Sequence, residues 1–278
     1  MSLKKISPIE LLLWTFRRNE RDTVNMYRSL SGIMRLATGG DMLNFGYWGK
    51  DTPDPLSAQE RLCSEFGRLA RLSSGQRVLD VGSGYGAPAL QWRSEYGAVD
   101  IFSVNTSFEQ LSGSSLRVQQ VGATATALPF GGASVDRILA LESAQHFKPF
   151  AGFASESFRV LKKDGLLALA IPVLACGGAS LGRLGLLSLT WSSEHYTEQH
   201  VMAAVKGAGF EVVSVRRIGP GVYEPLADYY EANRASVRDR ILISYPDYVE
   251  KILHRSIRKM RDVSQKKFID YLLVLCRR

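Results

Sequence analysis

The chain has 278 residues, of which 45% are apolar and 22% charged, a balance that suits one large globular domain or two small ones and excludes disordered, collagen-like and disulfide-framework classes. Its three cysteines, Cys63, Cys176 and Cys276, lie far apart and form no Cys-x-x-Cys pair. That spacing argues against a disulfide scaffold or a cysteine zinc site and fits a reducing, cytoplasmic location, while a net charge of +8 draws anionic partners without choosing among them.

The first 75 residues read as helices. Ser7-Pro8-Ile9-Glu10 supplies a cap hydroxyl, a proline at the first helical position and an acid in the first turn, which predicts a helix to about Arg18. Ile9, Leu12, Leu13 and Phe16 share a face that packs on the body of the protein; Trp14 and the pair Arg17 and Arg18 make this helix the candidate for peripheral membrane contact. Glu10 and the two arginines interrupt the apolar stretch, so it does not read as a signal peptide. Helical patterns over residues 24–36 and 57–72 flank the segment Asn44-Phe45-Gly46-Tyr47-Trp48-Gly49.

From Gln76 onward, short apolar runs alternate with helical segments, the pattern of a parallel sheet with crossover helices. Strands are predicted at residues 77–81, 99–104, 117–121, 135–141 and 166–171, with a helix over Phe150 to Leu161. An apolar, Gly-rich loop (172–193), a helix (198–208) and a strand (210–215) follow, and a buried strand at 267–275 closes the chain. The basic, helical stretch before that last strand is far longer than a hairpin connection and reads as an inserted cap. The expected plan is therefore an N-terminal helical segment (1–75) that packs on the core and covers the active site, a doubly wound α/β core (76–223 and 266–278), and a cap (224–265).

One motif carries chemistry. Asp80-Val81-Gly82-Ser83-Gly84-Tyr85-Gly86 follows a strand and opens a helix; glycines there let the backbone turn sharply and let a ligand approach where a Cβ would collide. A dinucleotide fingerprint spaces its third glycine one residue later and has an acid about twenty residues on, where this chain has Asn105.

Together with Ala127-Leu128-Pro129-Phe130, Leu141-Glu142-Ser143-Ala144-Gln145-His146-Phe147 and Val160-Leu161-Lys162-Lys163-Asp164-Gly165, this motif resembles the class I S-adenosylmethionine-dependent methyltransferases, over roughly residues 45–218. Within them it is similar to small-molecule enzymes that methylate sugar, polyketide and glycolipid hydroxyls or quinone and sterol carbons. The resemblance implies a Rossmann-like seven-stranded sheet and S-adenosylmethionine as cofactor, leaving S-adenosylhomocysteine as product. It places Asp80 on the methionine ammonium, Gly82, Gly84 and Gly86 against the ligand, and Asn105 on a ribose hydroxyl. Tyr47, Thr106, Gln110, Thr124, Ala125, Leu128, Glu142 and Ser143 complete the implied cofactor set. Thr124 stands where relatives carry an aspartate for the adenine amino group, and the connection from Asn105 to the third strand is short; both imply a weaker hold on adenine.

A sulfonium is already an activated methyl donor, so such a protein must align a nucleophile and remove its proton. His146 is the expected general base, because imidazole titrates near neutrality, and Glu142 is expected beside it as a catalytic residue. Trp191, His195, Tyr196 and Tyr223 are the expected substrate contacts. The apolar loop favours a hydroxyl on a hydrophobic polyketide, lipid or glycoside as acceptor, with carbon methylation of a quinone, sterol or prenyl-like molecule as the alternative, and a non-catalytic partner of the same fold as a further one. No metal is expected. A nucleic-acid substrate is not expected either, since no Asn/Asp-Pro-Pro-aromatic motif follows the fourth strand.

Overall fold

In the computed structural model, residues 20–112, 118–175, 184, 187 and 194–278 are described. The helix expected at residues 8–18, Cys176 and Trp191 lie outside these residues. The chain begins with α1 (Glu20–Thr38) and α2 (Pro55–Leu69), then alternates β1 (Arg77–Val81), α3 (Ala87–Tyr96), β2 (Asp100–Asn105), α4 (Phe108–Ser112), β3 (Gln119–Gly122), β4 (Val135–Leu141), α5 (Phe150–Val160) and β5 (Leu161–Leu174). It continues with α6 (Glu198–Gly207), β6 (Glu211–Arg217), α7 (Pro220–Ala232), α8 (Arg234–Leu242), α9 (Asp247–Gln265) and β7 (Ile269–Arg277).

Seven strands form one sheet in the order β3-β2-β1-β4-β5-β7-β6, the doubly wound α/β arrangement expected from the sequence. β7 runs antiparallel to both its neighbours. Strand order reverses between β1 and β4, and open sheets of this kind bind ligands outside the carboxyl ends of the strands at such a reversal.

Strands in the middle of the sheet are apolar on both faces because helices cover both. Along β7 the period of two is plain: Tyr271, Leu273 and Leu275 join one core layer with Leu62, Phe66 and Trp92, while Leu272, Val274 and Cys276 join the other with Phe153, Val201 and Val205. A third cluster, with Ile33 of α1 among Tyr230, Val237, Ile241 and Val249 of α7 to α9, fastens the N-terminal helix to the cap helices.

Two boundaries moved for identifiable reasons. α2 begins earlier than its apolar pattern predicts, because Asp54 caps it by accepting from Ser57 N at 2.8 Å and Pro55 fills the first helical position. β5 extends to Leu174 although Pro172 cannot donate to a ladder. Pro172 still pairs in register with Tyr271 of β7, and pairing with β4 has already ended at Ala170, so no ladder bond is lost on that side.

Candidate functional site

The carboxyl ends of β1, β2 and β4, with the glycine turn and the segment after α1, surround an open cleft. Its walls bring together, from the expected set, Asp80, Gly82, Gly84, Asn105, Thr106, Gln110, Ala125, Glu142, Ser143 and His146. Residues separated by more than sixty positions in the chain thus meet because the sheet topology delivers three strand ends to one place.

The glycine turn is shaped by two different needs. Gly82 has φ +77°, and a Cβ on it would lie 2.3 Å from the Cβ of Ser143, so the residue is glycine for the sake of β4 packing. Gly84 has φ +56° but nothing nearer than Leu43 Cδ1 at 3.7 Å, so the space before it is left for a ligand. Gly82→Ala is therefore expected to cost about 2–5 kcal/mol, combining overpacking with a left-handed backbone, whereas Gly84→Ala costs only the backbone penalty of about 1–2 kcal/mol. Thermal melts of the two variants check this; equal losses would contradict it.

At the base of the turn Asp80 is buried, and its Oδ2 has no hydrogen-bond partner among the described residues. Burial pushes its carboxyl up to about 7. The Oγ of Ser83, also buried, is likewise unpartnered among them. A buried acid with one oxygen unpartnered among the described residues, beside an open glycine turn, fits a ligand that brings a cationic group, as the methionine ammonium of S-adenosylmethionine does.

Glu142 occupies the end of β4 with φ +50°, a strained setting of the kind that clusters at functional sites. Its Oε1 accepts from Phe45 N at 2.8 Å and from the Tyr271 hydroxyl at 2.9 Å. Burial nevertheless outweighs these bonds and lifts its carboxyl to about 8. Asp80 and Glu142 therefore both keep protons in the folded chain at pH values where the unfolded chain has released them. Their contribution to stability is complete below the ordinary carboxylate range and is lost as pH rises through about 7 and 8. Denaturant titrations of the ligand-free protein are expected to lose about 1.4 kcal/mol per pH unit for each group between pH 5 and about 7 for Asp80 or about 8 for Glu142. A flat profile from pH 5 to 8 would contradict the protonated state.

His146 ends the 3₁₀ turn Ala144–His146 and is half-buried on the cleft wall. Its turn is stapled from outside: Glu194 N donates to Gln145 O at 3.0 Å, the Tyr196 hydroxyl to Phe147 O at 2.8 Å, and Lys148 pairs with Glu194 at 3.3 Å.

Other expected site residues stand elsewhere. Tyr223, expected at the substrate, is fully buried between Phe45 and Tyr271, with its hydroxyl on Asp270 O at 3.2 Å. Tyr196, expected in the same role, spends its hydroxyl on Phe147 O and stacks on His200 at 4.7 Å; neither it nor His195 lines the cleft. Tyr47, expected on the cofactor, packs under Arg61 and against Gly221, outside the cleft wall. Thr124 and Leu128 flank Ala125 without lining the cleft: the Thr124 hydroxyl lies 3.2 Å from that of Thr126, and Leu128 is buried. Gly86 caps α3 and is likewise set back. Asn105 does line the cleft, but its amide nitrogen donates to Gly84 O at 3.3 Å and to Gln110 Oε1 at 2.9 Å. It ties the glycine turn to β2.

Sequence reasoning missed Met42, Leu43, Tyr85, Ser107 and Phe147 on the cleft wall and Tyr271 behind Glu142. For Tyr271 a signal existed, because a tyrosine inside an aliphatic, buried strand needs a partner for its hydroxyl. Leu43, at φ +51°, had none.

Comparison with known proteins agrees with this geometry. Residues 79–169 match a family described as a methyltransferase domain. The chain is 29% identical over 256 residues to the erythromycin 3''-O-methyltransferase of Saccharopolyspora erythraea, covering 83% of this chain and 84% of that protein. It is 33% identical over 163 residues to the O-methyltransferase rstn1 of Aspergillus nomiae, covering 55% of this chain and 72% of that one. Among solved structures, the cyclopropane synthase MmaA2 from Mycobacterium tuberculosis superposes with a TM-score of 0.77 at 15% identity over 92% of this chain and 97% of that one, a likeness of fold. The chain belongs to the S-adenosylmethionine-dependent methyltransferases of the class I fold.

Proposed function

We propose that the enzyme transfers a methyl group to a hydroxyl of a hydrophobic small molecule, with His146 as general base. The observation that carries this reading is His146 on the wall of the same cleft as Asp80 and the open face of Gly84. When bound, S-adenosylmethionine supplies an electrophilic methyl on a sulfonium, a reagent that needs no further activation. Asp80 holds the ammonium end, and binding draws its proton off because a cation beside it favours the carboxylate. Gly84 admits the ligand's backbone-hugging part, Ser83 offers a hydroxyl, and Asn105, Thr106 and Gln110 line the ribose side with Ala125 beyond them. Ser143 supports Gly82 and sends its own hydroxyl to Val81 O at 2.6 Å.

The acceptor hydroxyl lies toward His146. As that hydroxyl took the methyl group, its proton would pass to the imidazole of His146, leaving an imidazolium in place of the positive charge the sulfonium gives up. Val24, Met42, Leu43, Leu141 and Phe147 on the cleft wall favour an apolar acceptor. Two relatives named O-methyltransferases support oxygen as the target. Glu142 serves as an anchor, gripping Phe45 so that the segment carrying Met42 and Leu43 stays closed over the glycine turn.

Acceptors of graded acidity test the base. His146→Ala is expected to cost alkanol acceptors at least tenfold more in kcat than phenols, whose protons leave more easily. An equal cost for both would sink the assignment.

A further inference from the structure

Between Glu142 and His146 lies a buried amide whose orientation is forced. Gln145 is 4% exposed, and its Nε2 donates to Glu142 O at 2.6 Å while standing 3.3 Å from His146 Nε2. Turning the amide over would set Oε1 against the Glu142 carbonyl oxygen, two acceptors with no proton between them. The amide does not turn even though its Oε1 then has no partner among the described residues, a cost that a freely chosen orientation would avoid. The backbone around it is fixed as well: Gln145 O accepts from Glu194 N and His146 N donates to Ser143 O, both at 3.0 Å.

With one N–H on Glu142 O, the second N–H of the same nitrogen faces the imidazole. A ring nitrogen can meet a donor only with its lone pair. We propose that Gln145 is a positioning residue that makes Nε2 of His146 the proton-accepting nitrogen, keeps the neutral ring protonated on Nδ1, and disfavours the imidazolium. Its catalytic consequence rests on His146 being the base: Gln145 then holds the base in its accepting form to lower pH and dictates which nitrogen receives the hydroxyl proton. The weak 3.3 Å contact is one that an incoming hydroxyl can displace.

Neighbouring charges set the background. Glu142 from β4, Asp80 from β1, Tyr85 from the glycine turn and Asp41 from the segment after α1 share the cleft with His146. Lys148 and Glu194 pair with each other beside the turn, and His195 and Tyr196 follow on the stapling segment.

The test uses the intact enzyme labelled with ¹⁵N in its histidine rings. In the unaltered protein above the imidazole transition, the His146 signals are expected to report Nδ1–H with a bare Nε2; an Nε2–H ring would overturn the proposal without any variant. Gln145→Met keeps the volume and removes the donor, and is expected to raise the His146 pKa by about 0.5–1 unit, a threefold to tenfold gain in proton affinity. An unmoved pKa in a folded Gln145→Met protein would also overturn it. The acidic limb of kcat/KM then separates the two readings. If the ring pKa moves and the limb moves with it, both stand; if the ring pKa moves and the limb does not, Gln145 tunes His146 but His146 is not the base.

Discussion

Asp80→Asn is expected to weaken binding of S-adenosylhomocysteine about 10- to 100-fold, because an amide would replace a carboxylate in the proposed charge-assisted bond to the ligand's ammonium. The same substitution is expected to stabilise the ligand-free protein at pH 8, by an amount on the order of 2 kcal/mol, because it removes a carboxyl that must ionise in a buried place. The gain should shrink as pH falls through about 7 and Asp80 regains its proton. Opposite signs for affinity and stability are the mark of a residue kept for its ligand. Calorimetric titration and denaturant melts on one preparation measure both; losses in both would make Asp80 a structural residue.

His146→Ala is the second large effect. With His146 as the proposed general base, its loss is expected to lower kcat about 100- to 10,000-fold. Affinity for S-adenosylhomocysteine should remain near that of the parent, since the ammonium end of the cleft, with Asp80 and Gly84, is untouched. The small side chain leaves a gap, so added imidazole is expected to restore part of the rate, and the restored rate should rise with the neutral imidazole concentration. A variant that loses cofactor affinity in step with turnover would instead place His146 in the binding of the cofactor.

Much of this was legible because the informative features are local. A strand that ends in an acid and breaks into alternating glycines needs only a few neighbouring residues to declare itself, and apolar runs alternating with helical segments give the sheet. Asp80, Gly84, Asn105, Glu142 and His146 accordingly reach one cleft. The residues that stand away from the cleft do so because of the direction in which their side chains point. Tyr223 looks like a substrate contact in a sequence, but α7 turns it inward onto Asp270 and Tyr271. Tyr47 is drawn aside by Arg61 of α2, and Tyr196 by the carbonyl of Phe147. The grip of Tyr271 on Glu142 spans 129 residues, and no periodicity in either strand signals it. Leu43 reaches the cleft only because the segment after α1 is tied down by Glu142 through Phe45.

Following the methyl carbon itself distinguishes oxygen from carbon methylation. The enzyme is incubated with S-adenosylmethionine labelled with ¹³C in the methyl group and a panel of apolar hydroxyl-bearing acceptors, beside the same compounds lacking the hydroxyl. The account predicts label in a new ether methyl, found only with the hydroxyl compounds and reduced at least a hundredfold in rate by His146→Ala. Label bonded to carbon, or equal labelling of the compounds that lack the hydroxyl, would contradict it.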